Sequence, residues 1–138
     1  MNPLKPIKTA LSAAAVVFAF VLLSSFEARA ENWIEVSRDE VWYNADYIFL
    51  DRGTGFVVVE VADYDGNTYG YFLDAFDCTG WIFYVLGAKD ANGNYEVFPY
   101  WKTDERYSAS IPQGSIMDQV AKQVCPIRNS LRYDDIPQ

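Results

Sequence analysis

The 138-residue chain contains no histidine and only two cysteines. Without an imidazole, the usual serine or cysteine relay lacks its general base, and a zinc cluster lacks its nitrogen ligands. A Ser-Lys pair using Lys89, Lys102 or Lys122 is the remaining nucleophilic arrangement, and no motif accompanies it. Basic residues are also scarce, 11 Lys and Arg against 19 Asp and Glu, for a formal charge of -8. Such a surface repels nucleic acid, heparin-like glycans and anionic lipid, and it favours a cationic protein or peptide as partner.

Long apolar runs are absent except for residues 10–23, which follow Lys5 and Lys8 and precede Ser24, Ser25 and Ala28-Arg29-Ala30. These are the charged, hydrophobic and cleavage regions of a secretory signal, and the run is too short to span a bilayer. The expected organisation is a signal peptide over 1–30, one domain over 31–126, and a polar, frayed tail over 127–138. No cysteine stands near the cleavage point to accept a lipid, so the mature chain is expected to be soluble, with no membrane span, in the periplasm, secreted or at the cell surface. Cleavage would remove Lys5, Lys8 and Arg29 but only Glu27 among the acids, making the mature chain more acidic still.

An even cysteine count in an exported chain favours a disulfide between Cys78 and Cys125 over a metal site, the alternative being two separate thiols. The settings of the two differ. Residues 69–78 alternate in strand fashion, with Cys78 on the face of Phe72 and Phe76. Ser115 reads as a helix cap with Asp118 three positions on, and Met117, Ala121 and Cys125 fall in one i, i+4, i+8 row until Pro126 stops the helix. Further strands are expected at 32–37, 41–43, 47–50, 56–62, 81–86 and 95–101, with a turn at Asn44-Ala45-Asp46 and a loop over 102–111. The fold class is α+β, a curved antiparallel meander of about six strands with one C-terminal helix tethered to it by the disulfide.

Several of these segments resemble the surface-adhesin protein E family. The likeness is carried by Trp33-Ile34-Glu35-Val36, by Val41-Trp42-Tyr43-Asn44-Ala45-Asp46-Tyr47-Ile48, and by Phe76-Asp77-Cys78. It continues through Tyr84, Gly93-Asn94-Tyr95-Glu96-Val97 and Trp101, then Ile111-Pro112-Gln113-Gly114-Ser115 up to Val124-Cys125. The resemblance implies an antiparallel fold with a helix tied to the sheet, and a non-catalytic envelope protein of Gram-negative bacteria. The namesake is a surface lipoprotein that binds host matrix and serum proteins.

Candidate sites are few. Asp63-Tyr64-Asp65-Gly66-Asn67 and Asp90-Ala91-Asn92-Gly93-Asn94 space their oxygens as a calcium loop does, but they lack its bidentate glutamate and read as turns. Asp74 and Asp77 would point to opposite faces of one strand, a poor arrangement for paired-carboxylate chemistry. No catalytic, metal or cofactor residues are assigned. Aromatics make up 17% of the chain, more than so small a core can hide, and Tyr100, Trp101, Asp104, Glu105 and Tyr107 mark a loop suited to protein contact. The expected function is an exported, non-catalytic binding module for a host or envelope protein; a homodimer through open strand edges is compatible with the sequence, which does not decide the oligomeric state. The alternative is a periplasmic inhibitor of a cationic enzyme such as lysozyme.

Overall fold

The computed structural model describes residues 32–137, so the signal read over 1–30 lies outside the described residues. Eight strands make one sheet: β1 (Trp33–Ser37), β2 (Val41–Asp51), β3 (Val57–Tyr64), β4 (Tyr69–Asp77), β5 (Ile82–Lys89), β6 (Tyr95–Val97), β7 (Ser108–Ser110) and β8 (Tyr133–Asp134). The first six follow one another as an antiparallel meander in chain order. β6 and β7 share the outer edge of β5, while β1 and β8 share that of β2, β8 running parallel to it. The helix α1 (Ile116–Val124) lies across one face. No helix among the described residues is long and apolar enough to cross a membrane.

Tight reversals join the strands where Asp, Asn and Gly concentrate. Asp65 Oδ1 accepts from the amides of Asn67 and Thr68, and Asp90 Oδ1 from those of Asn92 and Asn94. Gly66 and Gly93 complete these turns with φ of 102° and 85°, a region that costs glycine nothing. Both calcium-like segments therefore spend an aspartate on holding their own turn.

β3 explains its uninterrupted apolar sequence by being buried on both sides. Val57, Val59 and Val61 face the helix with Phe76, and all are at most 1% exposed, as are Val120, Ala121 and Val124 opposite them. On the other face Val58 packs with Phe49, Leu73, Ala75 and Leu86 beneath Phe56, Tyr84, Trp101 and Ile136. Each fully buried valine or leucine contributes roughly 1.5–3 kcal/mol, so the sheet is stabilised from both faces. Cys78, just past β4, is bonded to Cys125 at the end of α1, with Cα atoms 5.7 Å apart.

Capping of α1 departs slightly from the expected reciprocal box. Ser115 Oγ accepts from the Asp118 amide at 3.1 Å, but Asp118 Oδ2 returns to Gly114 N at 2.9 Å, one residue earlier than Ser115. Its Oδ1 accepts from Trp81 Nε1 at 2.9 Å, tying the helix start to the sheet. These bonds, first that from Gly114 and then those from Lys122 and Trp81, hold the Asp118 carboxyl below its usual range.

Four sequence expectations are corrected. Asn44-Ala45-Asp46 is no turn between strands but a bulge within the single long β2, where the pairing with β3 jumps from Tyr43 to Ile48. Asn44 Oδ1 accepts from the Asp46 amide at 2.8 Å, the local bond that makes such residues common in turns and here shapes a bulge. The loop over 102–111 contains a 3₁₀ turn (Glu105–Tyr107) and β7, which finds unpaired backbone on β5. β6 ends at Val97, since Pro99 cannot donate to a ladder. Finally, the tail is not frayed: a 3₁₀ turn (Cys125–Ser130) and β8 hold it, and Leu131 and Ile136 pack against the two cores.

Asp74 is a buried acid that fits its place badly. It is 3% exposed on the helix face, and its Oδ1 has no hydrogen-bond partner among the described residues. Burial, with a smaller contribution from the charge of Asp63, raises its pKa to about 7. The folded state therefore binds an extra proton between about pH 4 and 7, and stability falls as pH rises through that window. Asp74→Asn should add roughly 2 kcal/mol at pH 8 and almost nothing at pH 4, because the amide keeps the unpaired site but removes the charge. Urea denaturation at the two pH values checks this, and an equal effect at both would contradict it.

Candidate binding site

Beyond β6 the chain turns sharply at Tyr100. The Phe98 amide donates to Leu86 O at 2.7 Å, Pro99 stiffens the next step, and Tyr100 adopts φ 61°. That left-handed conformation is uncommon for a bulky residue and costs of order 1–3 kcal/mol, so the surroundings must hold it. They do so through Tyr100 O, which accepts from the amides of Thr103 and Asp104. The result leaves the Tyr100 side chain 79% exposed, the most exposed large apolar residue described.

Trp101 points the other way. Its ring meets Tyr84 edge-on at 5.4 Å and covers the far-side core. Across from it the tail approaches: Leu50 N donates to Arg132 O, Arg52 N to Asp134 O, and Arg52 pairs with Asp135 at 2.9 Å. A cleft of about 650 Å³ lies between Phe98, Tyr100 and Trp101 on one wall and Asp135, Ile136 and Pro137 on the other, with Asp51 among its lining. The cleft thus offers aromatic and aliphatic surface with carboxylates beside it, and no basic residue lines it.

Of the five residues nominated from sequence, Tyr100 and Trp101 line the cleft and the other three do not. Asp104 caps the 3₁₀ turn by accepting from Arg106 N and holds the Arg106 guanidinium at 2.7 Å, bonds that keep its carboxyl below the usual range. Tyr107 stacks on Phe98 at 4.8 Å with Arg106 over its ring, and Glu105 is exposed outside the cleft. Sequence reasoning misses the tail wall because most of 127–138 is polar. Its signal was the spacing of Leu131 and Ile136 in an otherwise polar stretch, each residue anchoring against a core.

Further along the same sheet face sits a buried ionic cluster. Glu60, 1% exposed, accepts from Asn44 Nδ2 at 2.9 Å and from the Tyr95 hydroxyl, and pairs with Lys89 Nζ at 2.8 Å. Burial pushes the Glu60 carboxyl up, but the bonds from Lys89, Tyr95 and Asn44 together outweigh it, so its pKa is lowered. Tyr95 is driven far above the phenol range by burial and by the adjacent carboxylate. The charges of Glu60 and Lys89 are matched, none of the four residues lines the cleft, and the cluster ties β2, β3, β5 and β6 together. Compared with protein-family models, curated proteins and solved structures, the chain gives no match.

Proposed function

We propose that the chain is an exported, non-catalytic protein-binding module of the adhesin E type, and that it engages its partner through the cleft beside Tyr100. The observation that carries this reading is an exposed tyrosine, held in a costly backbone conformation, at the mouth of a cleft with aromatic and acidic walls. Tyrosine is favoured at interfaces because it presents a large rigid surface with a polar end at little entropic cost. Two further points support the reading. The disulfide fits an oxidising compartment, and it joins the two motif halves, Phe76-Asp77-Cys78 and Ile111 through Cys125, on which the family resemblance rests.

Binding to immobilised host matrix and serum proteins tests it. The expected outcome is saturable binding that Tyr100→Ala weakens about tenfold while leaving the thermal midpoint within a few degrees, since the side chain supports no core. Absence of binding to every such protein, or a Tyr100→Ala variant that binds as tightly as the parent, would sink the proposal.

A second reading is favoured by the formal charge of -8 and by Asp51 and Asp135 at the cleft: inhibition of a cationic enzyme such as lysozyme. Loss of muramidase activity on addition of the purified protein would move the assignment there. Unchanged activity at a large excess of protein would remove it.

A further inference from the structure

A second concavity lies on the sheet face away from α1, beyond the ionic cluster. Its floor is Ala62 of β3, which in the strand register stands between Trp42 of β2 and Tyr71 of β4. Strands are spaced about 4.8 Å apart, so a small residue between two large ones opens a slot roughly twice that width. Trp33 and Tyr69 complete the walls of a cavity of about 190 Å³. Trp33 meets Tyr71 at 5.9 Å and 60°, Trp42 meets Tyr69 at 5.5 Å and 68°, and Tyr69 lies 6.3 Å from Tyr71. Four rings linked in a row by these three contacts thus wall an apolar floor, and no charged residue lines the space.

We propose that Trp33, Trp42, Tyr69 and Tyr71 form a binding site for a quaternary ammonium group. Aromatic faces carry the negative lobe of the ring quadrupole, and several of them converging attract a cation that is itself too poorly hydrated to be held by water. A neutral sugar would need hydrogen-bond partners around its hydroxyls, and the floor and walls offer little beyond phenol and indole groups. The wider charge agrees with a cation. Glu35 is the register partner of Trp42 on β1 and so stands on the same face as the rings. The folded chain already uses this chemistry: Lys89 Nζ stands 5.2 Å from the Tyr71 ring centre, its charge matched by Glu60. Liquid water takes about 30 Å³ per molecule, so the cavity has room for about six such groups, enough for a nitrogen with its methyl groups. This site is separate from the Tyr100 cleft and does not rest on the function proposed for it.

Titration of tryptophan fluorescence in the purified protein tests the site, since two of the four tryptophans line it. Choline chloride, at ionic strength held constant with sodium chloride, should give a saturable change. The neutral carbon analogue 3,3-dimethylbutanol should bind at least tenfold more weakly. Ala62→Leu fills the floor and should weaken choline tenfold or more, and Trp33→Leu, on the short outer strand, serves the same purpose should the first variant fail to fold. Phosphocholine distinguishes the source: binding tenfold weaker than choline points to free cations, and equal binding to headgroups, with the ammonium held in either case. The proposal is overturned by equal affinity for choline and its neutral analogue, by no response to choline, or by folded variants that bind choline as the parent does. Saturable binding of an oligosaccharide with no response to choline would overturn it equally.

Discussion

Replacing Cys78 and Cys125 together with alanine should destabilise the domain by about 4 kcal/mol, the value chain entropy gives for a closed loop of this length. The two residues are 47 positions apart, and the loop between them contains β5, β6, β7 and all of α1. Such a loss would be a large share of the roughly 5–15 kcal/mol that stabilises an ordinary domain. For a chain of this size it corresponds to a fall of roughly 15–25 °C in thermal midpoint. The effect should act chiefly on α1, which depends on the sheet to bury Val120, Ala121 and Val124 and is too short to stand alone. Equal midpoints for oxidised and reduced protein, with reduction confirmed by thiol titration, would contradict this account. Because the bond joins scaffold elements and not the cleft, any variant that still folds should bind as the parent does.

Lys89→Met is expected to cost about 3 kcal/mol at pH 7, because it leaves the Glu60 carboxylate buried without its cation. The pH dependence identifies the cause. In the parent, Glu60 titrates below its ordinary value of 4.5, so its contribution is fully present above that value and is lost as pH falls through the lowered one. In the variant the carboxyl can escape its burial only by taking a proton, so the penalty should shrink as the solution is acidified toward pH 4. A double variant carrying Glu60→Leu should recover part of the loss, since two apolar residues replace a pair whose desolvation is costly. Urea denaturation of the three proteins at pH 4 and 7 measures this, and a Lys89→Met loss independent of pH would refute the assigned cause.

The alternating and helical segments could be read from sequence because each has a periodicity that only one structure satisfies. Residues 69–78 and the helix from Ser115 to Cys125 are of that kind, and the structure places them as expected apart from the shifted cap at Gly114. What could not be read was every feature that depends on a distant partner. β7 carries no strand pattern in Ser108-Ala109-Ser110 and exists because β5 has backbone to spare beyond β6. β8 and the tail wall of the cleft exist for the same reason beside β2. The bulge at Asn44 used turn-type residues inside a strand, and its buried amide is explained only by Glu60, sixteen positions away. Aromatic excess was visible as a number, but the division of those rings between a core cover at Trp101, an exposed mouth at Tyr100 and a box over Ala62 follows from register alone.

The sheet margins bear on how the molecule behaves in company. A long, straight outer strand invites a second chain to add to it, whether as a dimer or as the seed of a fibre. Here β2 and β5, the two strands long enough to act that way, are each screened by two short pieces contributed from different parts of the sequence. On the β2 side one of those pieces, β8, comes from the last stretch of described chain. A chain cut short before Tyr133 would leave the outer edge of Leu50 and Asp51 bare, open to the same addition by a second chain.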